Sequence, residues 1–282
     1  MKNKVADKYA VVGHPINHSL SPRIHQLFAE DSAQAVEYKA LDLDPDKFEL
    51  QLLELIENGY KGVNVTVPFK ERAWAITDKL SPRARDAGAV NTLIFQDDGL
   101  IAGDNTDGIG LTRDLIANHH ILINHRKVLI LGAGGAVRGI LGPLLAQKPN
   151  QVVIANRTVE RAEELVEQFS EELASETELL SSSYEDLGPH QFNLIINGTS
   201  AGLNNDIPPI PDEILGINSI CYDMMYNLEK PTAFVQWAID RGALSHLDGL
   251  GMLVEQAAES FFIWRGVRPD TAKVLSELRK SV

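Results

Sequence analysis

The chain has 282 residues, of which 44% are hydrophobic, and this is enough for two domains that each have their own core. Its formal net charge of −13 argues against nucleic acid as a partner, and its apolar runs are shorter than the roughly 20 residues of a membrane span. Residues 1–8 are polar and do not form a signal-peptide pattern, and the single Cys221 excludes an internal disulfide, so we expect a cytoplasmic protein.

Strands and helices alternate from the start of the chain. A strand predicted over 9–13 precedes a helix for which Ser21 is the expected N-cap and Pro22 the first residue. Ser19 and Ser21 are two residues apart, so in an extended segment both hydroxyls face the same side, where they could hold a carboxylate. From these residues alone, plain capping by Ser21 is the favoured alternative. A strand over 36–43 and a helix from Phe48 follow.

The next predicted strand covers 61–67 and carries polar residues on one face. Val63, Val65 and Val67 alternate along it and share one face, so Asn64 and Thr66 share the other. After Pro68 a helix opens with Lys70, which places a lysine where open α/β sheets bind ligands. A lone lysine is usually a surface residue, and Lys70 therefore needs a partner.

A predicted hairpin, 91–95 and 100–103, leads into the segment 104–108, which is rich in small hydrogen-bonding side chains. Thr106 is a natural N-cap for the helix that follows, and Asp107 suits the positive end of its dipole. This segment has more such side chains than one cap requires. The helix after it is expected to connect two domains.

A strand, a glycine turn and a helix follow over 127–145. Gly132 and Gly134 match the G-x-G-x-x-G pattern of a dinucleotide site, whereas Val137 takes the third glycine position. In such a site the glycines let the backbone approach a pyrophosphate, and the N–H groups of the helix start point at it. The alternative is a tight turn without a ligand.

The following strand indicates which nucleotide would bind. It ends in Asn156-Arg157-Thr158, with Arg161 one turn later, where an NAD site usually places an acidic residue on the ribose. Arginines bind a 2′-phosphate well, so this ending favours NADP over NAD, although solvated arginines and a capping Thr158 would give the same pattern. The acidic, amphipathic helix predicted over 160–178 receives no function, and the eight histidines include no plausible metal pair.

Reduction of a carbonyl by a nicotinamide requires a group that exchanges a proton with the forming alkoxide. In the absence of a zinc-ligand set, an acid–base side chain must serve. Lys70 beside Asp107 would form such a pair, with the carboxylate orienting the ammonium. We therefore expect these two sequence-distant residues to converge.

Seven motifs, spread over nearly the whole chain, resemble the shikimate dehydrogenase family in content and order: 13–22, 64–70, 88–92, 104–108, 132–138, 156–161 and 249–256. The resemblance implies NADPH-dependent, reversible reduction of 3-dehydroshikimate to shikimate, in chorismate and aromatic amino acid biosynthesis. It implies an α/β protein of two domains: a mainly parallel substrate-binding domain over 1–108 and a Rossmann-like NADP-binding domain over 109–249. The C-terminal helices over 250–282 would return to the first domain. Only small-molecule partners are expected, without nucleic acid or membrane, and monomer and homodimer both stay open.

The resemblance also assigns roles to residues. Lys70 and Asp107 match the family's catalytic pair, and no metal is expected. The substrate-binding residues would be Ser19, Ser21 and Tyr226 for the carboxylate, and Asn64, Thr66, Lys70, Asn91, Asp107 and Gln256 for the rest of the molecule. The cofactor-binding residues would be Gly132, Ala133, Gly134, Gly135, Ala136, Arg138, Asn156, Arg157, Thr158, Arg161, Thr199, Met224, Gly249 and Met252.

Val137 departs from the family pattern, since a serine is common at that position of the glycine-rich loop, and we expect the change to remove a hydroxyl contact near the phosphates. Two rival functions remain. One is an NAD-dependent quinate/shikimate dehydrogenase, and the other is a non-catalytic NADP-binding regulator on the same fold.

Overall fold

The computed structural model describes residues 5–170, 177–204 and 206–280, in which the chain divides into two α/β units. The first unit runs to Gly110 and resumes over Val254–Lys280, and the second covers Leu111–Leu253. The C-terminal segment Val254–Lys280 thus belongs to the first unit. None of the helices in the described ranges is long and apolar enough to cross a bilayer.

The first unit contains a six-stranded mixed sheet. Its strands are β1 (Asp7–Gly13), β2 (Val36–Asp42), β3 (Tyr60–Val65), β4 (Lys79–Leu80), β5 (Thr92–Phe95) and β6 (Ile101–Asp104), in the order β2-β1-β3-β5-β6-β4. β1 is parallel to β2 and β3, β4 is parallel to β6, and β5 is antiparallel to β3 and β6. The predicted hairpin is therefore confirmed. The helices are α1 (Ser21–Asp31), α2 (Phe48–Glu57), α3 (Lys70–Ala75), α4 (Pro82–Ala87) and α5 (Asp107–Arg113).

The second unit contains a six-stranded sheet in which every pair of neighbours is parallel. Its strands are β7 (Lys127–Leu131), β8 (Gln151–Ala155), β9 (Glu178–Ser182), β10 (Phe192–Asn197), β11 (Leu215–Asp223) and β12 (Ser245–Leu247), in the order β12-β11-β10-β7-β8-β9. A π-helical turn, Asp114–Asn118, continues α5, and the helices are α6 (Gly135–Leu145), α7 (Val159–Ser170) and α8 (Ala233–Asp240). Helix α9 (Leu250–Arg265) begins in this unit and ends in the first, which α10 (Thr271–Lys280) completes.

Both faces of the second sheet are covered, which explains the unbroken apolar run of β7. Val128 and Ile130 lie in a core shared with residues of α6 and α7, whereas Leu129 and Leu131 lie in a core shared with residues of α8. A parallel sheet with helices on both faces is the Rossmann-like, doubly wound architecture. The acidic helix predicted over 160–178 is described as far as Ser170, and residues 171–176 lie outside the described residues.

The two faces of the first sheet differ in chemistry. One face forms an apolar core with α2 and α3, where Phe48 and Phe69 stack with ring centroids 4.5 Å apart. Because side chains alternate along β3, Asn64 points to the opposite face from Val63 and Val65. That face contacts α1 and α9 and carries the polar cluster described below.

Two local predictions were wrong. β3 ends at Val65, so Val67 lies beyond the strand with 69% of its surface exposed. The chain turns there, since the N–H of Phe69 donates to the carbonyl of Thr66. Ser21 is not an N-cap: it is the first residue of α1, Leu20 holds the cap position, and the hydroxyl of Ser19 accepts from the N–H of Ser21 at 3.2 Å.

Candidate active site

Lys70 and Asp107 meet in the first unit. The Nζ of Lys70 lies 2.6 Å from Oδ2 of Asp107, and their side chains are only 18% and 9% exposed. Each is the first residue of a helix, α3 or α5. Buried Phe69 precedes Lys70, and the carbonyl of Lys70 accepts from the N–H of Val90 at 2.9 Å. The expected convergence of the pair is confirmed.

Asn91 orients the carboxylate from the other side. Its Nδ2 donates to Oδ1 of Asp107 at 2.7 Å and to the hydroxyl of Thr106 at 2.9 Å. Its Oδ1 accepts from the backbone N–H of Thr106 at 2.9 Å, so the two ends of the amide have distinct partners. Both oxygens of Asp107 are therefore engaged, one by an amide and the other by the ammonium of Lys70.

Gln256 reaches the same cluster from α9. Its Oε1 lies 3.3 Å from Nδ2 of Asn91 and 3.3 Å from the hydroxyl of Thr106. Gln256 belongs to the part of α9 that lies in the first unit, which explains how a residue after the cofactor domain joins a cluster of the first. Its placement agrees with the sequence-based expectation that it shares a site with Lys70.

The predicted carboxylate-binding residues and Thr66 lie elsewhere in the described chain. Ser21 is buried and Ser19 half-buried at the start of α1. Thr66 contacts the end of β1, where a Cβ on Gly13 would fall 2.6 Å from Cγ2 of Thr66, so only glycine permits this approach. Tyr226 belongs to the second unit. The roles of these four residues stay predictions.

Asn64, the predicted substrate-binding residue on β3, is buried, with 6% of its surface exposed. Its Oδ1 accepts from the hydroxyl of Tyr38 at 2.7 Å, and its Nδ2 faces the carbonyl of Asn91 and the hydroxyls of Thr92 and Ser260. Sequence reasoning missed Tyr38, Thr92 and Ser260 as members of the cluster. Ser260 could have been found, because it lies one helical turn after Gln256.

The carboxyl ends of the parallel strands in the second unit carry the predicted cofactor residues. Gly132 follows β7 with φ of 101°, a conformation that favours glycine, and the N–H of Gly198 donates to the carbonyl of Leu131 at 2.9 Å. β7 and β10 are neighbours here although β8 follows β7 in sequence, which makes this point the topological switch of the sheet. Ligands of open α/β sheets bind at such a point.

The start of α6 is open to a ligand. Gly134 holds the N-cap position, where a side-chain cap is lacking, and a Cβ built on it would meet no atom of the described residues within 4 Å. Gly135 and Ala136 form the first turn. Arg138, one position past Val137, donates to the neutral Oε1 of Gln168 at 3.1 Å, so this contact leaves its charge uncompensated.

Val137 faces the core and not the loop. It is fully buried, and a Cβ on Gly198 would fall 2.5 Å from its Cγ2. The side chain at position 137 therefore lies against the end of β10. The expected loss of a hydroxyl contact near the phosphates concerns this position, whose side chain points inward. Thr199, next to Gly198, donates its hydroxyl to Oδ1 of Asn197 at 2.8 Å.

Polar and basic side chains follow β8. Asn156 is half-buried, and its Nδ2 donates to the carbonyl of Thr158 at 2.8 Å, which shapes the turn into α7. Arg157, Thr158 and Arg161 are exposed. The turn thus presents two guanidinium groups at the strand end where an NAD site usually carries a carboxylate.

Met224 and Gly249 interlock at the end of β11. A Cβ on Gly249 would overlap the carbonyl oxygen of Met224, so glycine is required there for steric reasons. Met252 is buried one turn into α9, and the nearby Gly251 lies against the carboxylate of Asp114. That carboxylate accepts from the hydroxyl of Tyr222 at 2.7 Å. All these residues belong to the second unit.

A glycine turn at the switch point of a parallel sheet, with a second α/β unit that carries an acid–base pair, defines the class of dinucleotide-dependent α/β dehydrogenases. Comparison with known families is more specific. A profile described as the shikimate dehydrogenase substrate binding domain matches residues 11–93. A second, shikimate / quinate 5-dehydrogenase, matches 114–203, and a third, the shikimate 5'-dehydrogenase C-terminal domain, matches 249–279.

Individual relatives agree. A shikimate dehydrogenase (NADP(+)) of Alkalilimnicola ehrlichii is 52% identical over 276 residues, which cover 98% of this chain and 99% of the relative. The crystal structure of an Ael1 enzyme from Pseudomonas putida is 46% identical, with a TM-score of 0.89, and the match covers 97% and 98% of the two chains. A shikimate 5-dehydrogenase from Thermus thermophilus, in complex with NADP(H) and shikimate, is 33% identical with a TM-score of 0.85, covering 98% and 100%. The chain belongs to the shikimate dehydrogenase family.

Proposed function

We propose that the protein catalyses the reversible, NADPH-dependent reduction of 3-dehydroshikimate to shikimate. The observation that carries this proposal is the 2.6 Å contact between the ammonium of Lys70 and the carboxylate of Asp107, in a chain 52% identical to a shikimate dehydrogenase (NADP(+)). The same identity supports a role in aromatic amino acid biosynthesis.

The residues of the second unit fit NADP. Gly132 and Gly134 leave the backbone accessible, and the N–H groups at the start of α6 favour a pyrophosphate, while Ala133, Gly135 and Ala136 complete the turn. Arg157 and Arg161 suit a 2′-phosphate, with Asn156 and Thr158 next to Arg157 in the chain, and Arg138 on α6 would add a further positive charge to the cofactor site. Thr199, Met224, Gly249 and Met252 would lie against the remainder of the cofactor.

When bound, NADPH supplies the hydride. Lys70 donates a proton to the carbonyl oxygen as negative charge develops on it, and in the reverse direction the amine of Lys70 accepts the proton of the hydroxyl. Asp107 holds the ammonium in place, and Asn91 holds Asp107. Asn64, Thr66 and Gln256 would bind the ring hydroxyls.

The substrate carboxylate requires a separate site. We propose Ser19 and Ser21 for it, and the part that the resemblance assigns to Tyr226, in the second unit, stays a prediction. The hydroxyl of Ser19 lies at the N-terminus of α1, an eleven-residue helix whose dipole favours an anion. Substrates that lack the carboxylate should therefore bind poorly while the acid–base pair stays intact.

We also propose that the protein works in the cytoplasm. Cys221 is fully buried in β11, and burial raises the pKa of its thiol to about 12. A chain with a single cysteine forms no internal disulfide, which suits a reducing compartment.

A single assay tests the proposed function. Shikimate and quinate are each paired with NADP⁺ and NAD⁺, and formation of reduced nicotinamide is followed by absorbance. We expect the highest kcat/KM for shikimate with NADP⁺. Equal values for the two cofactors would support the NAD-dependent quinate/shikimate dehydrogenase and contradict the role of Arg157. Tight NADP⁺ binding without turnover would identify a non-catalytic regulator.

A further inference from the structure

A run of hydrogen bonds in the first unit leads from Tyr38, on β2, to the carboxylate of Asp107. Its members are Tyr38, Asn64, Ser260, Thr92, Asn91 and Asp107. Apart from the half-buried Tyr38, all are buried, and they come from β2, β3, α9, β5, the residue before β5, and α5. Elements far apart in sequence thus contribute one side chain each to a single polar path through the unit.

The first bond of this path fixes the Asn64 amide. The hydroxyl of Tyr38 donates to Oδ1 of Asn64 at 2.7 Å, and burial raises the pKa of this phenol well above its ordinary value, so it stays a donor. Nδ2 of Asn64 faces the carbonyl oxygen of Asn91 at 3.1 Å, which can only accept. A flipped amide would set two oxygens against each other, and the orientation is therefore unambiguous.

The direction of the middle bonds follows from counting hydrogens. Nδ2 of Asn64 donates to the hydroxyl of Ser260 at 3.0 Å and also lies 3.1 Å from the hydroxyl of Thr92, which donates to Oδ1 of Asn91 at 2.8 Å. Thr92 has one hydroxyl hydrogen, which this bond uses. In the 2.8 Å contact between the two hydroxyls, Thr92 is therefore the acceptor, and Ser260 donates to it in preference to the more distant carbonyl of Gln256, which lies 3.1 Å from the Ser260 hydroxyl.

The last bonds reach the reacting pair. Nδ2 of Asn91 donates to Oδ1 of Asp107 at 2.7 Å, and Lys70 donates to Oδ2 at 2.6 Å. Every bond of the path thus points toward the carboxylate. In a chain with one direction each donor is strengthened by the bond it accepts, because every group is polarised in the same sense.

We propose that Tyr38 and Ser260 are positioning residues for the reaction, which orient and polarise the Asp107 carboxylate through Asn64, Thr92 and Asn91. The proposal rests on the proposed function, because it assigns Asp107 the task of holding Lys70. Asn91 is also held by the backbone N–H of Thr106 at 2.9 Å. Loss of Tyr38 or Ser260 therefore leaves Asn91 in place and weakens only the donor strength that it delivers.

A double-mutant cycle tests this proposal. Tyr38→Phe removes one hydroxyl without changing the ring, and Ser260→Ala removes the hydroxyl in the middle of the path. At saturating shikimate and NADP⁺ we expect each change to lower kcat about fivefold, because Asn91 then donates a weaker hydrogen bond to Asp107, and the KM for NADP⁺, measured over a range of NADP⁺ concentrations, should be unchanged. The double variant should lose about fivefold to tenfold and not the product of about 25-fold, because both hydroxyls act through the same bond, that of Thr92 to Asn91.

Ser219 provides the matched control. Its side chain is also buried, and its hydroxyl donates to the carbonyl of Phe192 in the second unit, outside the path. Ser219→Ala should leave kcat within twofold of the wild type, and its effect should multiply with that of Tyr38→Phe. The same cycles in urea unfolding separate stability from turnover, since a merely structural role would change the unfolding midpoint and leave kcat unchanged.

The outcomes distinguish the two proposals. Wild-type turnover with coupled losses in kcat supports the path. The proposal is overturned if the wild type is active and the single variants have an unchanged kcat. It is also overturned if the losses in the double variant multiply, as expected for Ser219→Ala. If the wild type does not turn over shikimate, the proposed function is wrong. The proposal for Tyr38 and Ser260 then fails as well, and the inactive wild type shows that the cause is the proposed function and not the path.

Discussion

Replacement of Lys70 by Met is the most direct test of the acid–base pair. Methionine keeps the length and the apolar stem of the side chain and removes the ammonium that lies 2.6 Å from Asp107. General acid–base catalysis typically contributes about 10²- to 10⁴-fold, or roughly 3–5 kcal/mol of barrier. We therefore expect kcat for shikimate to fall at least about 100-fold, with a change in KM of threefold or less.

Lys70→Met should also lower the free energy of unfolding, by less than it raises the barrier of the reaction. Removing one partner of a fully buried pair costs about 3–5 kcal/mol. The side chains here keep 18% and 9% of their surface in water, and Asn91 still donates to Asp107, so we expect a loss of about 1–2 kcal/mol. Urea unfolding measures this loss and shows whether the variant is folded under the assay conditions.

Initial rates over a range of shikimate concentrations, with saturating NADP⁺, separate kcat from KM. Lys79→Met is the matched control, because the Lys79 side chain is 56% exposed and pairs with Asp98 at the surface of the same unit. The control should behave as the wild type. A folded Lys70→Met variant that retains kcat within threefold, or that changes KM alone, would refute the role of Lys70 as the proton donor.

Three further outcomes are expected. Gly249→Ala should destabilise the protein by about 1–3 kcal/mol in urea unfolding, because its Cβ would overlap the carbonyl oxygen of Met224. Gly134→Ala should leave unfolding unchanged and raise the KM for NADPH about tenfold, since its Cβ enters open space at the start of α6; normal NADPH binding would contradict the assigned site. Arg157→Asp should lower the ratio of kcat/KM for NADPH over NADH at least about tenfold, and an unchanged ratio would exclude a contact with the 2′-phosphate.

Acid stability should depend on His25, which stacks on Tyr38 with ring centroids 4.0 Å apart. Burial lowers the pKa of His25 from 6.5 to about 3. The neighbouring Asn64 raises this pKa by a smaller amount, and its amide hydrogens are directed at other acceptors. Between these pH values only the unfolded chain takes up the proton, so stability present above pH 6.5 is lost as pH falls toward 3, at about 1.4 kcal/mol per pH unit. His25→Phe should flatten this dependence in urea unfolding, and an identical slope would show that other groups cause it.

The sequence predicted best those parts of the fold in which a local pattern of residues is compatible with only one backbone structure. A short apolar run, glycines and a helical repeat over 127–145 produce a strand, a turn and a helix with little help from the rest of the chain. The meeting of Lys70 and Asp107 could also be predicted, because carbonyl reduction needs an acid–base pair; in the structure each residue follows a strand of the first sheet, and β3 and β6 run in the same direction on either side of antiparallel β5. Parallel topology then brings such positions to one edge.

The parts that could not be predicted depend on neighbours distant in sequence. Ser260 is a small polar residue among the apolar positions of α9, and its role appears only when β3 and β5 lie beside that helix. Val137 occupies a glycine position of the motif because Gly198, just after β10, leaves room for it. The cap of α1 was missed because the turn before it lets Ser19, and not Ser21, accept the free N–H group.

The enclosure of Cys221 in the second sheet has a practical consequence. Thiol reagents act on the thiolate, and a fully buried sulfur with a pKa of about 12 offers almost none of it at neutral pH. Because this is the chain's sole cysteine, a new one introduced at the surface would be the single target for a fluorophore or a spin label. Distances between chosen points of the working molecule are thus open to spectroscopy without any prior removal of native sulfhydryls.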